Sequence, residues 1–526
     1  MLHSEKESKE SKTFDFNKYC EEAYRYFSSW LYSKLQKVTM TDRVAELKGI
    51  DPLTGLCFNA CRVDGTGIYH IIIEAAKLAL TKEEYGACCY WYFGPEKSKS
   101  SQFALLMIDP KDVEWLHKSK VIQMNDGVGT FSKFLGNNNI FSMKYGTQEW
   151  REERNRHLNF LDDKAIEKDM PEMHKIADDY IKKIDEEGKI ANLERFTADY
   201  TLDVVSKTKL STSLDQYTKD TISSMITKIS TELGNQTYTF IKSILPFIEY
   251  FPFNYFIQTE LSKLVKLANN ILRDDVIQPN KETILSKHNF ITAGRNHSDI
   301  KLTSLDMINE FKEFLVVGHE TTAKLLLFTL MLLADSNHRD VSKKLLREIH
   351  TRDKSPREWA KSDFDKVTYL TAIVNEALRL YPPVPIMVNR INKHCTFRDI
   401  ELRPGDLVFN SALQTHHYKP VWGNDADQFK PERFIEENGA IKEYNEYMFH
   451  PFGFNPRKCV GQKFAMLEVK QLVAILVSEY EMSLEKEMHH PFPISSTITM
   501  KVMMQNIPLY FEKRKQEELE FKLNPL

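Results

Sequence analysis

Residues 451–465 read Pro451-Phe-Gly-Phe-Asn-Pro-Arg-Lys-Cys-Val-Gly-Gln-Lys-Phe-Ala465, a turn-forming stretch that runs into helical periodicity over Gly461 to Tyr480. That puts Cys459 at a helix N-terminus, where unpaired backbone N–H groups and the macrodipole stabilise a thiolate. Arg457 and Lys458 add positive potential, and Gly461 lets the backbone approach a large group closely. The pattern describes a cysteine prepared to be an anionic ligand.

The rest of the chain sets this cysteine apart. Of the seven cysteines, Cys20, Cys57, Cys61, Cys88 and Cys89 fall in the first 90 residues, followed only by Cys395 and Cys459. An odd number so spread does not suggest a secreted disulfide scaffold, and no second His/Cys pair at zinc spacing accompanies Cys57 and Cys61. The 71 basic residues comprise 51 Lys and 20 Arg, and Gly occurs 19 times in 526 residues. An Arg or Gly kept against these biases points to a geometric need. A hydrophobic content of 42% excludes a mostly disordered chain, and a net charge of −3 gives no reason to expect nucleic-acid binding. Length alone would suggest several domains.

The polar start MLHSEKESKESKT has no apolar core for a signal peptide, and no run approaches a membrane span of uncharged residues. Tyr69 to Leu80 reads as an amphipathic helix that could meet a membrane surface but fits better against its own domain. Helical periodicity dominates: Asp163 to Gly188, Ser304 to Asp335 opening with Thr303 and Asp306 as a capping-box-like start, and Lys366 to Leu380 stopped by Pro382-Pro383. Strand-like runs are short: Gly86 to Phe93, Gln102 to Ile108, Asp406 to Phe409 and Ser495 to Met503. The expected fold class is mainly α with a smaller β portion.

Phe452, Arg457, Cys459 and Gly461 match the F-x-x-G-x-R-x-C-x-G pattern of the cytochrome P-450 haem-thiolate enzymes, which the chain resembles over roughly residues 50 to 513. Asn455 stands at the inner glycine position. It is the non-Gly residue that best tolerates a left-handed backbone, so the turn is expected to survive there. Glu376 and Arg379 form the family's E-x-x-R, to be bridged by Arg433 of Pro431-Glu432-Arg433-Phe434 in a structural lock on the proximal side of the haem. Trp150-x-x-x-Arg154, Arg390 and Arg457 fall at positions that resemble propionate contacts. Singly each would more often be a surface residue. Val317-Gly-His-Glu-Thr-Thr322 resembles the oxygen-activation motif of the long helix. There Gly318 and a locally opened helix would make room for dioxygen, Thr321 would hydrogen-bond the oxygen species, and Glu320 would deliver protons through water. The alternative is a kink with both threonine hydroxyls bonded to the preceding turn.

The resemblance implies a P-450 fold, with haem b (iron protoporphyrin IX) between the long helix and the cysteine loop and Cys459 as axial iron ligand. It implies three segments: 1–49 an N-terminal extension with a disordered start, 50–513 the haem domain, and 514–526 a charged tail. The implied activity is a monooxygenase using O2 as co-substrate. The short stretch after Cys459 leaves no room for a flavin or ferredoxin domain, so electrons from NADPH or NADH would come through a separate flavoprotein reductase or ferredoxin. Arg151, Lys458 and Lys463 lie near the face that would meet it. Phe314, Val317, Val384, Ile386 and Val388, with stretches 121–145, 237–255 and 494–499, would line a pocket for a hydrophobic molecule such as a fatty acid, sterol or terpenoid. Val317 would narrow that pocket above the iron. A cytoplasmic location, with contact at a membrane surface allowed, follows from the missing signal and span. A haem-thiolate isomerase or peroxygenase needing no electron donor, and a non-enzymatic haem sensor, are the rival readings. His157 and the His416-His417 pair show no third ligand at metal-site spacing.

Overall fold

The computed structural model describes residues 45–46, 88–93, 102–123, 139–234 and 304–515, less 142, 211, 399, 486–487, 497–498 and 505, together with Ser262 and Lys266. Its main helices are α1 (Pro110–Lys118), α2 (Gln148–Phe160), α3 (Asp163–Glu187), α4 (Leu193–Thr208) and α5 (Gln216–Gly234). They continue with α6 (Ser304–Ala334), α7 (Arg339–His350), α8 (Thr368–Leu380) and α9 (Gln462–Glu479). The strands are β1 (Ala45–Glu46), β2 (Cys88–Phe93), β3 (Gln102–Met107), β4 (Ile122–Gln123), β5 (Lys189–Ile190), β6 (Ile386–Ile391), β7 (Cys395–Phe397), β8 (Ile400–Leu402), β9 (Leu407–Ser411), β10 (Tyr480–Leu484), β11 (Ile494–Ser496), β12 (Met500–Val502) and β13 (Leu509–Lys513).

Local chemistry sets the helix limits. The Asp162 carboxylate caps α3 by accepting from Ala165 N at 2.7 Å, and Gly188, at φ +65°, closes its C-terminus. Thr147 caps α2 and Asn192 caps α4 in the same way. In α6, every residue from Leu325 to Ala334 is buried, and α4, α8 and α9 pack around it. The ring of Phe328 stacks on Tyr381, just past the end of α8, at 4.4 Å between centroids. Over 312–334 this helix is long and apolar enough to pass for a membrane span by length and composition, but Lys312, Glu313, Glu320 and Lys324 interrupt it, in keeping with the sequence expectation of no uncharged span, and 83% of its apolar 18-residue window is buried in the core. It is apolar all round because protein surrounds it.

The largest sheet has the order β1-β2-β3-β9-β6-β4, mostly antiparallel, with β1 parallel to β2 and β3 parallel to β9. Residues 45–46 therefore join the sheet through the pairing Ala45↔Cys89. The other residues of 1–49 and the helix expected over 69–80 lie outside the described residues, as does Thr303. The strand expected to open at Asp406 opens one residue later. Asp406 is held in a turn instead, its carboxylate accepting from Arg403 N at 2.7 Å. The run expected as one strand over Ser495 to Met503 is a hairpin of β11 and β12, with Ser496 opposite Met500. Folding back lets a short run pair its own backbone groups.

Candidate active site

The cysteine loop is a tight reversal at the head of α9. Gly453 N donates to His450 O at 3.0 Å with φ +73°, and Cys459 N donates to Phe452 O at 2.9 Å, which sets Phe452 beside the cysteine. The left-handed residue of the loop is thus Gly453, and Asn455 does not adopt that conformation. The reason is local, because Pro456 follows and its ring restricts the backbone of the residue before it. The expectation for Asn455 is corrected accordingly.

Gly461 is the N-cap of α9 and carries no side-chain cap. The N–H groups of Gly461 and Gln462 donate to the sulfur of Cys459, and Arg154 and Lys458 bring positive charge. All four draw the thiol toward the thiolate, but desolvation by the surrounding chain is larger and holds it above the usual range. Cys459 as a residue is nonetheless exposed. A residue exposed overall, with a desolvated side chain, borders an interior space. A Cβ added at Gly461 would meet only the Cys459 sulfur, at 3.9 Å, so the chain itself does not demand glycine there. Open space beside the glycine fits a large partner on that side.

Trp150, Arg154 and Arg457 gather around the same loop. Thr147 and the buried face of α2 fix Trp150, which is 4% exposed. The Arg457 guanidinium lies 5.3 Å from the Trp150 ring and that of Arg154 lies 5.6 Å from it. Both arginines bond backbone carbonyls rather than carboxylates. Arg154 Nη2 donates to Lys458 O at 2.8 Å, and Arg457 donates to Ile140 O at 3.1 Å and Met143 O at 2.7 Å. Burial, then the charge of Arg154, pushes Arg457 down to about 10. Two donors, Trp150 Nε1 and Arg457 Nε, are buried with no hydrogen-bond partner among the described residues. Crowded cations with spare buried donors fit a group bearing carboxylates. Arg390 sits on β6 and donates to Gly405 O at 3.0 Å.

In α6, Thr321 Oγ1 donates to Val317 O at 2.9 Å and Thr322 Oγ1 to Gly318 O at 3.1 Å. The helix runs through without a break, so the expected local opening is not present, and both hydroxyls bond the preceding turn. Gly318 also differs from expectation. A Cβ there would come within 3.2 Å of Val205 Cγ2 on α4, so the glycine permits a close helix–helix approach. Thr201 Oγ1 reinforces that approach by donating to His319 O at 3.2 Å. Glu320 has a partner the sequence did not suggest, accepting from Thr499 Oγ1 at 2.8 Å.

Glu376 and Arg379 on α8 are both fully buried and form a bidentate pair at 2.7 and 2.8 Å. Arg379 also donates to His416 O, Ala426 O and Gln428 O at 2.8, 2.7 and 3.1 Å. Arg433 lies 3.4 Å from Glu376 Oε1, an ion-pair distance. Its closer carboxylate is Asp425 at 2.7 Å, a residue the sequence did not single out.

Of the expected pocket residues, Val317, Val384 and Val388 are half-buried and Ile386 is 3% exposed. Phe314 packs between His157 and Phe160 of α2, at 5.6 and 5.4 Å. Most of stretch 121–145 and all of 237–255 lie outside the described residues. His157 ties α2 to α6, with Nδ1 2.9 Å from Glu153 O and Nε2 3.5 Å from Glu313. His416 Nε2 accepts from His450 N at 3.0 Å, and burial pushes its imidazole well below the usual range. Among the described residues no three His, Cys, Asp or Glu are placed to hold a metal ion.

A family model described as cytochrome P-450 matches residues 74–512, and the chain belongs to that family. It is 35% identical over 202 residues to a cytokinin hydroxylase of Arabidopsis thaliana, covering 38% of each chain. It is 28% identical over 361 residues to a second cytokinin hydroxylase of that plant, 65% of each. An echinocystic acid 23-monooxygenase of Saponaria officinalis is 30% identical over 296 residues, 52% of this chain and 55% of that protein. The chain spans less than two thirds of the length of these relatives. Haem is the cofactor the family implies, with O2 as its co-substrate.

Proposed function

We propose that the protein is a haem-thiolate monooxygenase that inserts one atom of O2 into a hydrophobic small molecule. The observation that carries the reading is Cys459 at the N-terminus of α9, beside an arginine–tryptophan–arginine group with two unpartnered buried donors. Relatives named as hydroxylases and a monooxygenase support the reaction type. The half-buried apolar side chains of Phe314, Val317, Val384 and Val388 favour a fatty acid, sterol or terpenoid as substrate.

Haem, when bound, supplies the oxygen-activating chemistry, tuned by electron density from a cysteine thiolate. Each remaining task falls to a side chain. Cys459 would hold the iron through its sulfur, made ready by the N–H groups of Gly461 and Gln462. Trp150 Nε1, Arg457 Nε, Arg154 and Arg390 would bind the two propionates, whose negative charges relieve the crowding of cations around Arg457. Phe452 and Gly461, both beside Cys459, would help hold the group. The Thr321 hydroxyl, its proton held by Val317 O, offers lone pairs to a neighbouring donor and gives its own proton after rotating about χ1. Glu320 supplies a carboxylate for proton relay one residue away. The Glu376–Arg379–Arg433 cluster would keep α8 and the Pro431–Phe434 segment rigid around the site. Electrons would come from NADPH or NADH by way of a flavoprotein reductase or ferredoxin. On the expected docking face Arg151 is exposed, Lys458 is half-buried, and Lys463 is paired to Asp163 at 2.7 Å.

The test is turnover under ¹⁸O2 with a flavoprotein reductase and NADPH, over a panel of fatty acids, sterols and terpenoids that displace water from the haem optically. One labelled oxygen per product molecule is expected. Product formed without reductant, or with no label, would favour the peroxygenase or isomerase reading instead.

A further inference from the structure

The contact between Glu320 and Thr499 joins two elements far apart in sequence. Thr499 is buried, at 3% exposed, between β11 and β12, and its hydroxyl donates to Glu320 Oε1 at 2.8 Å. Its position is anchored independently, since the next residue, Met500, donates its N–H to Pro383 O at 2.9 Å. Two residues on, β12 brings in Lys501, whose ammonium is partly desolvated and lies in the field of Glu320, Glu194 and Lys324. Lys324, one turn beyond Glu320 on α6, pairs with Glu194 of α4, whose carboxylate is 41% exposed. On its other neighbour's side, His319 is buried against α4, near Asp199 and Arg195. Glu320 thus shares its surroundings with Lys501, and the Lys324–Glu194 pair one turn along α6 ends at a carboxylate that is 41% exposed.

A carboxylate on a helix beside an open space has several rotamers, and a proton carrier works only from those that reach both source and acceptor. A buried hydroxyl donating to one carboxylate oxygen selects among them. We propose that Thr499 is a positioning residue for Glu320, fixing the carboxylate between Lys501 and the site above Cys459. This rests on the reading of Glu320 as a proton carrier, and it adds a second segment of chain, the β11–β12 hairpin, to the proton path.

The test uses haem-loaded protein with Thr499→Val, Thr499→Ser, Glu320→Ala and the Val/Ala double replacement. It needs neither the substrate nor the natural donor. In the first arm the thermal unfolding midpoint is measured. The two single losses should exceed the loss in the double variant, as for residues in contact. Additive losses would overturn the assignment. In the second arm the protein is photoreduced by a light-activated flavin without substrate, and the consumed O2 is partitioned between water and hydrogen peroxide. Thr499→Val should lower the water share at least threefold, Thr499→Ser should restore it, and Thr499→Val should change nothing further in the Glu320→Ala background. A normal water share in Thr499→Val with a lowered one in Glu320→Ala would sink the role of Thr499 alone. A normal share in Glu320→Ala would sink the reading of Glu320, and this proposal with it.

Discussion

Replacing Arg379 by lysine keeps the charge and removes geometry, and the structure lets the consequence be counted. All five N–H donors of the guanidinium are used: two on Glu376 and one each on the carbonyls of His416, Ala426 and Gln428. A lysine ammonium has three donors on a single point. At least two of these acceptors lose their partner, in a site where Glu376 and Arg379 are both at 0% exposure. Each buried group left unsatisfied costs about 1–3 kcal/mol, so the expected loss is about 2–6 kcal/mol, a large share of a domain's total stability. Arg433→Lys should cost less. Arg433 bonds Trp422 O at 2.9 Å and Asp425 at 2.7 Å, but its Nε has no hydrogen-bond partner. Chemical unfolding of the haem-loaded variants, followed by tryptophan emission and the Soret band together, reads both. Trp422, whose ring lies 5.1 Å from the Arg379 guanidinium, is a built-in reporter. If Arg379→Lys unfolds within about 1 kcal/mol of the parent, or costs no more than Arg433→Lys, the account of a geometric need for arginine is wrong.

Trp150→Phe removes one of the two unpartnered donors while keeping the packing, and should speed haem transfer to apomyoglobin by about 10- to 100-fold, as for a lost hydrogen bond to a charged group. An unchanged transfer rate would remove Trp150 from the binding group. Gly318→Ala should gain up to about 1 kcal/mol of helix propensity only when Val205, 3.2 Å from the new Cβ, is also cut to alanine. An equal gain with Val205 intact would mean that α4 does not crowd this glycine. Glu468 on α9 is fully buried with both oxygens unpartnered, and burial raises its carboxyl well above 4.5. The folded state therefore keeps the proton while the unfolded chain releases it above about 4.5, so this group costs stability progressively as pH rises. Glu468→Gln, which has no proton to lose, should gain on the parent from pH 5 toward 8 in unfolding midpoint. A pH-independent difference would refute the sign.

The local part of the architecture was legible because its causes are local. Gly188 closes α3, Pro382-Pro383 stops α8, and the long apolar run of α6 marks a helix surrounded by protein. The cysteine turn was legible because Arg457, Cys459 and Gly461 lie within five residues, and resemblance supplied the link from Glu376 and Arg379 to Arg433. What could not be read depends on tertiary contact. Nothing near Thr499 announces Glu320, and Asp425 is not marked as the nearer partner of Arg433. The motif resemblance implies that Gly318 makes room for dioxygen, whereas helix geometry turns it toward Val205. Asn455 was judged by its own tolerance for a left-handed backbone, although the following proline restricts its conformation.

The central claim is that the Cys459 sulfur ligates haem iron, and the reduced, carbon monoxide-difference spectrum of the haem-loaded chain tests it most directly. The parent and a Cys395→Ser variant should both show the red-displaced Soret band of thiolate-ligated haem, and Cys459→His should lose it while still holding haem. A folded, haem-loaded parent without that band, or a Cys459→His variant that keeps it, would contradict the assignment.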